Sequence, residues 1–252
     1  MNIAVITGAS SGLGYEYAKA VDTSYDNIDE IWLIARRRDR LEKTAYELNT
    51  TVRIIDMDLT DETAVCRYGE MLKIYEANVR LLINNAGFGR LGYFDDIQIK
   101  DNTGMVRLNC EALTEMTAIT LPFMSSGAQI INVCSIAAFA PNTRMAVYCS
   151  TKAYVMSFSR ALRGELKRKR INVLAVCPGP MDTEFLPVAN ITKGASRTFD
   201  TLPRVNPQSV AKHSLAASKK GKAVYTDRAF YKFYRFLSKI LPTGLVMKMA
   251  GA

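Results

Sequence analysis

The sequence predicts an α/β fold in which a doubly wound parallel sheet is covered by helices on both faces. Three observations carry this reading. Short β-branched runs alternate with longer helical patterns from end to end, the rhythm of parallel strands joined by crossover helices. Several of the runs are apolar without alternation, as expected where both faces of a strand are covered. A glycine-rich turn directly follows the first run, at the place where such folds approach a phosphate.

Taken in order, strands are expected at residues 3–7, 31–35, 52–56, 79–84, 129–134, 171–177 and 223–226, each a short run rich in Val, Ile or Leu. Between them, residues 15–21, 40–48, 62–75, 108–124 and 153–167 carry helical patterns. The last of these ends in a run of Arg and Lys, where cations complement the helix dipole. A further helix is framed by Asn206 as N-cap, Pro207 in the first turn and Gly221 as terminator. No linker, repeat or low-complexity block interrupts the pattern, so residues 1–252 read as one domain.

Composition narrows the function. The 252 residues suffice for a large core, and 48% hydrophobic with 23% charged residues is ordinary for a soluble protein. The first residues already read as a strand, with no charged-then-apolar leader, and no apolar run approaches the ~20 residues that span a bilayer. Five cysteines stand singly, as expected of reduced, mostly buried thiols, so a cytoplasmic location is expected. A single histidine, His213, reads as a solvated helix residue. Without a second histidine or a cysteine cluster, a zinc site or a serine hydrolase triad has little to work with, and no metal is expected. The net charge of +9 favours an anionic ligand, but no nucleic-acid motif accompanies the basic runs.

The turn reads Gly8-Ala9-Ser10-Ser11-Gly12-Leu13-Gly14, a Gly-x-x-x-Gly-x-Gly spacing between a strand and a helix. There glycines let backbone amides approach a pyrophosphate, which a helix N-terminus favours. At the end of the second strand a carboxylate would bind the ribose of NAD, whereas an arginine would meet the 2′-phosphate of NADP. This chain places Arg36 and Arg37 there, and a guanidinium can grip a phosphate in a bidentate way. The charge logic favours NADP.

Tyr148 and Lys152 stand four apart, on one face of a helix, with Ser135 ending an earlier apolar stretch. A cation near a phenol lowers its pKa, and a serine hydroxyl could hold a carbonyl oxygen beside it. That trio suits proton transfer to or from an alcohol while a cofactor moves the hydride.

With these pieces the chain resembles the short-chain dehydrogenase/reductase family, in its compact single-domain branch, over nearly its whole length. The glycine turn with Thr7 is similar to that family's cofactor turn. Asp58-Leu59 resembles the acidic-apolar pair at the adenine ring. Asn84-Asn85-Ala86-Gly87 reproduces the motif after the fourth strand. Asn109 sits where the family carries its catalytic asparagine, Ser135, Tyr148 and Lys152 match its serine and Tyr-x-x-x-Lys, and Pro178-Gly179-Pro180-Met181-Asp182-Thr183 resembles the turn that seats the nicotinamide.

The resemblance implies a Rossmann-like, seven-stranded, three-layer fold and reversible hydride transfer between NADP(H) and a carbonyl/alcohol pair. Tyr148 would be general acid in reduction and general base in oxidation. Ser135 would polarise the carbonyl, Lys152 would bind the nicotinamide ribose and depress the tyrosine pKa, and Asn109 would hold a relay water. A homodimer or homotetramer is implied as well. One departure is Ser11, where some NADP-preferring relatives carry a basic residue, so cofactor preference rests on Arg36 and Arg37. The segment after Thr183 is unlike that of acyl-carrier-protein ketoreductases, which weakens a 3-oxoacyl thioester reductase reading. A non-catalytic NADP sensor is the rival from another class, and an epimerase or dehydratase a third.

Phe88, Tyr93, Phe139, Met145, Val147, Phe185 and Leu186 are candidate substrate-lining residues, and their character suggests a lipophilic carbonyl compound. Residues 184–204, with glycine and prolines, read as a mobile substrate lid. Residues 227–252 form an amphipathic tail in which Phe230, Phe233, Tyr234, Leu237 and Leu241 make an apolar stripe and Lys232, Arg235 and Lys239 a basic one. Packing on the body or on a partner subunit is the leading reading of the tail, and lying on an anionic membrane the lesser one.

Overall fold

A computed structural model of the chain describes residues 1–192, 194 and 196–250. Among them, the strands β1 Asn2–Thr7, β2 Glu30–Ala35, β3 Thr51–Asp56, β4 Asn78–Asn84, β5 Gln129–Val133, β6 Asn172–Val176 and β7 Val224–Tyr225 form one sheet. The order is β3-β2-β1-β4-β5-β6-β7 and every pairing is parallel. The helices are α1 Gly12–Ser24, α2 Arg38–Tyr46, α3 Glu62–Ile74, α4 Ile99–Val106, α5 Ala112–Thr120, α6 Ala146–Leu166, α7 Phe185–Val188, α8 Arg197–Thr201, α9 Pro207–Lys219, α10 Ala229–Ile240 and α11 Thr243–Ala250. This is the expected Rossmann-like, three-layer arrangement. Every expected strand is present with its ends within about one residue, because unbroken apolar runs are buried on both faces.

The winding reverses between β1 and β4, so a crevice opens at the carboxyl ends of the central strands. One core layer packs α1 and α9 on the sheet, with Tyr17, Val21, Val210 and Leu215 buried against Ile6, Leu33 and Ile131. The other packs α3, α5 and α6, with Tyr68, Leu72, Met116 and Leu166 against Val5, Ile34 and Leu82.

Three local departures from the sequence reading matter for the site. The single helix expected at 108–124 begins earlier, at Ile99, and is interrupted by a π-turn over Arg107–Glu111. The extra residue turns Asn109 inward, where it is 1% exposed. Helix α6 begins at Ala146 rather than 153, since burial of Met145, Tyr148 and Cys149 overrides the modest helix propensity of the first turn. The segment expected as a mobile lid carries two short helices, α7 and α8, and touches the body. Ala189 and Ile191 are buried, and the Leu91 amide donates to the Ala189 carbonyl at 2.8 Å. Lys193 and Ala195 of that segment lie outside the described residues, as do Gly251 and Ala252 of the tail.

The tail packs on the body through Tyr231, which is fully buried and donates its hydroxyl to the Pro203 carbonyl at 2.6 Å. Gly179 makes this fit, since a Cβ there would collide with the Tyr231 ring. His213 is exposed, as expected, and its Nδ1 pairs with the Ser209 hydroxyl at 3.1 Å. Among the cysteines, Cys134, Cys149 and Cys177 are buried and Cys110 is half-buried, but Cys66 is exposed, on the outer side of α3.

Candidate active site

A cavity of about 860 Å³ occupies the crevice. Of the residues expected to hold a dinucleotide, all but Gly14 line it: Gly8, Ser10, Ser11, Gly12 and Leu13 of the turn, Arg36 and Arg37, Asp58 and Leu59, Asn85, Ala86 and Gly87, Tyr148 and Lys152, and Pro178, Gly179 and Thr183. Gly14 acts from behind, because a Cβ there would strike the Gly8 carbonyl and break the turn. Ser11 is the N-cap of α1 and its side chain makes no capping bond, which leaves the first amides of the helix to a ligand. The turn is held by β4: the Thr7 hydroxyl accepts from the amides of Asn85 (2.9 Å) and Ala86 (3.0 Å), and the Asn85 side chain donates to the Thr7 carbonyl at 3.0 Å.

The two arginines divide their contacts. Arg37 reaches across the turn and donates to the hydroxyls of Ser10 (3.1 Å) and Ser11 (3.0 Å) and to the Glu184 carboxylate (2.8 Å). Arg36 is three-quarters exposed, with Asp58 3.7 Å away. Burial opposes ionisation of Asp58, but the Thr60 amide (2.9 Å) and hydroxyl (2.8 Å), together with Arg36, hold its carboxyl below the usual range. Glu184 is held below its usual range chiefly by the Arg37 hydrogen bond. Its carboxylate therefore sits, ionised, against one of the two guanidinium groups expected to meet a 2′-phosphate. The sequence reading did not single out Glu184, since it lies 147 residues from Arg37 and carries no motif.

At the other end, Tyr148, Ser135 and Lys152 meet. Tyr148 is 7% and Lys152 5% exposed. The Lys152 ammonium lies 5.8 Å from the Tyr148 ring centroid and donates to the Val133 carbonyl at 2.9 Å. Burial pushes the Tyr148 phenol well above its ordinary value, and its hydrogen bond with Ser135 pulls the other way. Burial also pulls the Lys152 ammonium down. Burial therefore keeps this phenol neutral, and the depression expected of Lys152 belongs to the proposal for the cofactor-bound protein. Asn109 stands behind this cluster, outside the cavity wall. Its side-chain oxygen accepts from the Phe88 amide (3.0 Å), and its amide donates to the Phe88 carbonyl (2.9 Å) and the Thr151 hydroxyl (3.1 Å). It ties the loop after β4 to α6, fixing Gly87 beside Lys152.

Of the expected substrate-lining residues, Phe88, Met145, Phe185 and Leu186 face the cavity, and Phe185 packs on Tyr148 with ring centroids 5.7 Å apart. Tyr93, Phe139 and Val147 do not: Tyr93 is 60% exposed, and Phe139 turns to Tyr234 instead. The sequence reading missed that α10 supplies a wall, through Phe230, Tyr231, Phe233, Tyr234 and Leu237. Helical spacing showed an apolar stripe there but not what it would face.

Residues 2–193 match the short chain dehydrogenase family. The chain belongs to that family. It is thus an oxidoreductase of alcohol and carbonyl groups, in a family that binds nicotinamide cofactors. Among relatives of this short-chain dehydrogenase, serine 3-dehydrogenase of Agrobacterium fabrum is 34% identical over 210 residues, covering 81% of each chain. The NADP-dependent 3-hydroxy acid dehydrogenase of Schizosaccharomyces pombe is 34% identical over 193 residues, covering 72% of each. Among solved structures, a short-chain dehydrogenase from Sphingobium yanoikuyae in complex with NADPH superposes with a TM-score of 0.78 at 27% identity, covering 96% of this chain and 97% of that one.

Proposed function

We propose that the chain is, as one domain, an NADP-dependent oxidoreductase that interconverts a lipophilic carbonyl compound and its alcohol. The observation that carries this is the Tyr148–Ser135–Lys152 cluster opening into one cavity with Arg37 and the glycine turn. The residues present fit a dinucleotide: uncapped amides at the start of α1, a guanidinium flanked by two serine hydroxyls, and a lysine beside Gly87. The S. pombe relative's name and the NADPH of the Sphingobium structure support the choice of NADP. When bound, the nicotinamide donates or accepts the hydride.

The chain's own residues supply the rest. Arg37, Ser10 and Ser11 hold the 2′-phosphate, with Arg36 and Asp58-Leu59 at the adenine side and Thr183 at the nicotinamide side. Ser135 donates to the substrate carbonyl oxygen and orients it toward Tyr148. Tyr148 gives its phenolic proton to that oxygen in reduction and takes it back in oxidation. A phenol kept neutral by burial is in the form that reduction needs as its acid. Lys152 orients the cofactor ribose and stabilises the phenolate left after proton transfer, and Asn109 borders the path by which that proton is replaced. The apolar walls from Phe88, Met145, Phe185 and α10 exclude water and favour a bulky, lipophilic substrate. Assembly as a homodimer or homotetramer and a cytoplasmic setting belong to the same proposal.

A panel of steroids, acyl thioesters, sugars and small aldehydes with NADPH or NADH, followed through nicotinamide absorbance, tests this. NADPH consumption with a bulky ketone is expected, and Tyr148→Phe should abolish it while leaving NADPH binding intact. Binding of NADPH with no turnover on any carbonyl would instead support the sensor reading, and turnover confined to acyl thioesters the 3-oxoacyl thioester reductase.

A further inference from the structure

Among the described residues, the side of α10 that faces away from the body is left uncovered. Tyr231 buries one side of the helix, yet Phe230, Phe233, Phe236 and Ile240 are 53%, 60%, 57% and 60% exposed. Leu245 of α11 continues the patch at 47%. Phe233, Phe236 and Ile240 stand at i, i+3 and i+7, one stripe along the helix. Isolated apolar side chains on a surface are ordinary, but a contiguous aromatic patch marks an interaction site.

Two further features say what covers it. Lys232 and Lys239 are exposed along the edge of the stripe, and Lys248 is exposed on α11. A covering partner must therefore be apolar in the middle and anionic at the edge. A second copy fits badly: the chain carries +9, and antiparallel pairing of two α10 helices about a two-fold axis brings their lysine edges to the same side. The patch is also continuous with the cavity. Phe230 and Phe233 are at once more than half exposed and part of the cavity wall, so the cavity meets the surface at this stripe. No helix among the described residues is long and apolar enough to cross a membrane, so a lipid partner would be met in the plane of its surface.

We infer that α10 and α11 dock on the surface of an anionic lipid bilayer, with the aromatic stripe in the headgroup–acyl boundary and Lys232, Lys239 and Lys248 on lipid phosphates. In that pose, lipophilic substrate enters the cavity from the bilayer between Phe230 and Phe233. Docking stands on exposure and charge alone; substrate entry rests on the proposed carbonyl reduction.

Flotation of the full chain with vesicles, without substrate, separates the two. The wild type floats with phosphatidylglycerol/phosphatidylcholine vesicles, less so as salt rises, and not with phosphatidylcholine alone. Each basic residue near an anionic surface changes partition about fivefold, so Lys232→Glu/Lys239→Glu lowers it by more than about 25-fold. Phe236→Ser/Ile240→Ser, which alters no cavity residue, abolishes flotation while retaining the wild-type unfolding midpoint and NADPH affinity. If the serine variant does not fold, the charge-reversal variant decides alone. Failure of the wild type to float with anionic vesicles overturns the inference, as does flotation unchanged by charge reversal. So does a wild-type oligomer in sedimentation that Phe236→Ser/Ile240→Ser dissociates, since a second copy then covers the face.

Discussion

Removing the Arg37 guanidinium should separate NADP from NAD more sharply than any other single change. In the ligand-free protein Arg37 donates to Glu184 at 2.8 Å, with both side chains a little under half exposed. Such a pair is worth ~0.2–1 kcal/mol. A guanidinium–phosphate hydrogen bond is worth ~1.5–3 kcal/mol, so the phosphate outbids the carboxylate and displaces it. Arg37→Ala should weaken NADPH binding by the difference, ~0.5–2.8 kcal/mol or between about twofold and about 100-fold, and leave NADH little changed. Glu184→Gln keeps the shape but removes the competing charge, so NADPH should bind about 1.4- to 5-fold tighter, again with NADH little changed. In the double variant the gain from Glu184→Gln should vanish, because the group it competed for is gone. Titration of protein into NADPH and NADH, read by nicotinamide fluorescence, measures all four arms. Equal weakening of both cofactors in Arg37→Ala, or weaker NADPH binding in Glu184→Gln, would refute the reasoning.

Two further outcomes follow from the same geometry. Tyr231→Ala removes a fully buried ring and its hydrogen bond to Pro203, so it should cost ~3–5 kcal/mol of local packing, loosen α10 and open the cavity wall; proteolysis within 227–250 should accelerate while Arg37-dependent NADPH selectivity persists. Because burial raises the Tyr148 pKa, the phenolate needed for oxidation is scarce at neutral pH and the phenol needed for reduction abundant. Alcohol oxidation should therefore increase steadily from pH 7 to 10 while carbonyl reduction holds level; an oxidation profile flat across that range would show that the base is not a group whose pKa burial has raised.

The sheet and the reacting trio were legible in the sequence for the same reason: both are written in short-range pattern. Unbroken apolar runs such as Ile31–Ile34 can be buried only between two helix layers, and a Tyr and a Lys four apart can only share a helix face. What stayed hidden depends on contacts distant in the chain. The π-turn at Arg107–Glu111 has no local signature, and within it Asn109 satisfies both backbone groups of Phe88, 21 residues away. Glu184 meets Arg37 only once β2 and the segment after β6 reach the same end of the sheet. The tail is the clearest case. Its stripe, read by spacing alone, looked like one apolar face awaiting one partner, whereas the structure shows it has two uses. Tyr231, which that stripe did not include, goes to the body, where Gly179 leaves room for its ring, while Tyr234 and Leu237 of the stripe line the cavity. Phe236 and Ile240 are left outside, and Phe233 is shared between the cavity wall and the surface. An apolar arc wider than the body can cover is costly in water unless something else covers it, and that excess, rather than amphipathicity itself, makes the outer face of α10 informative.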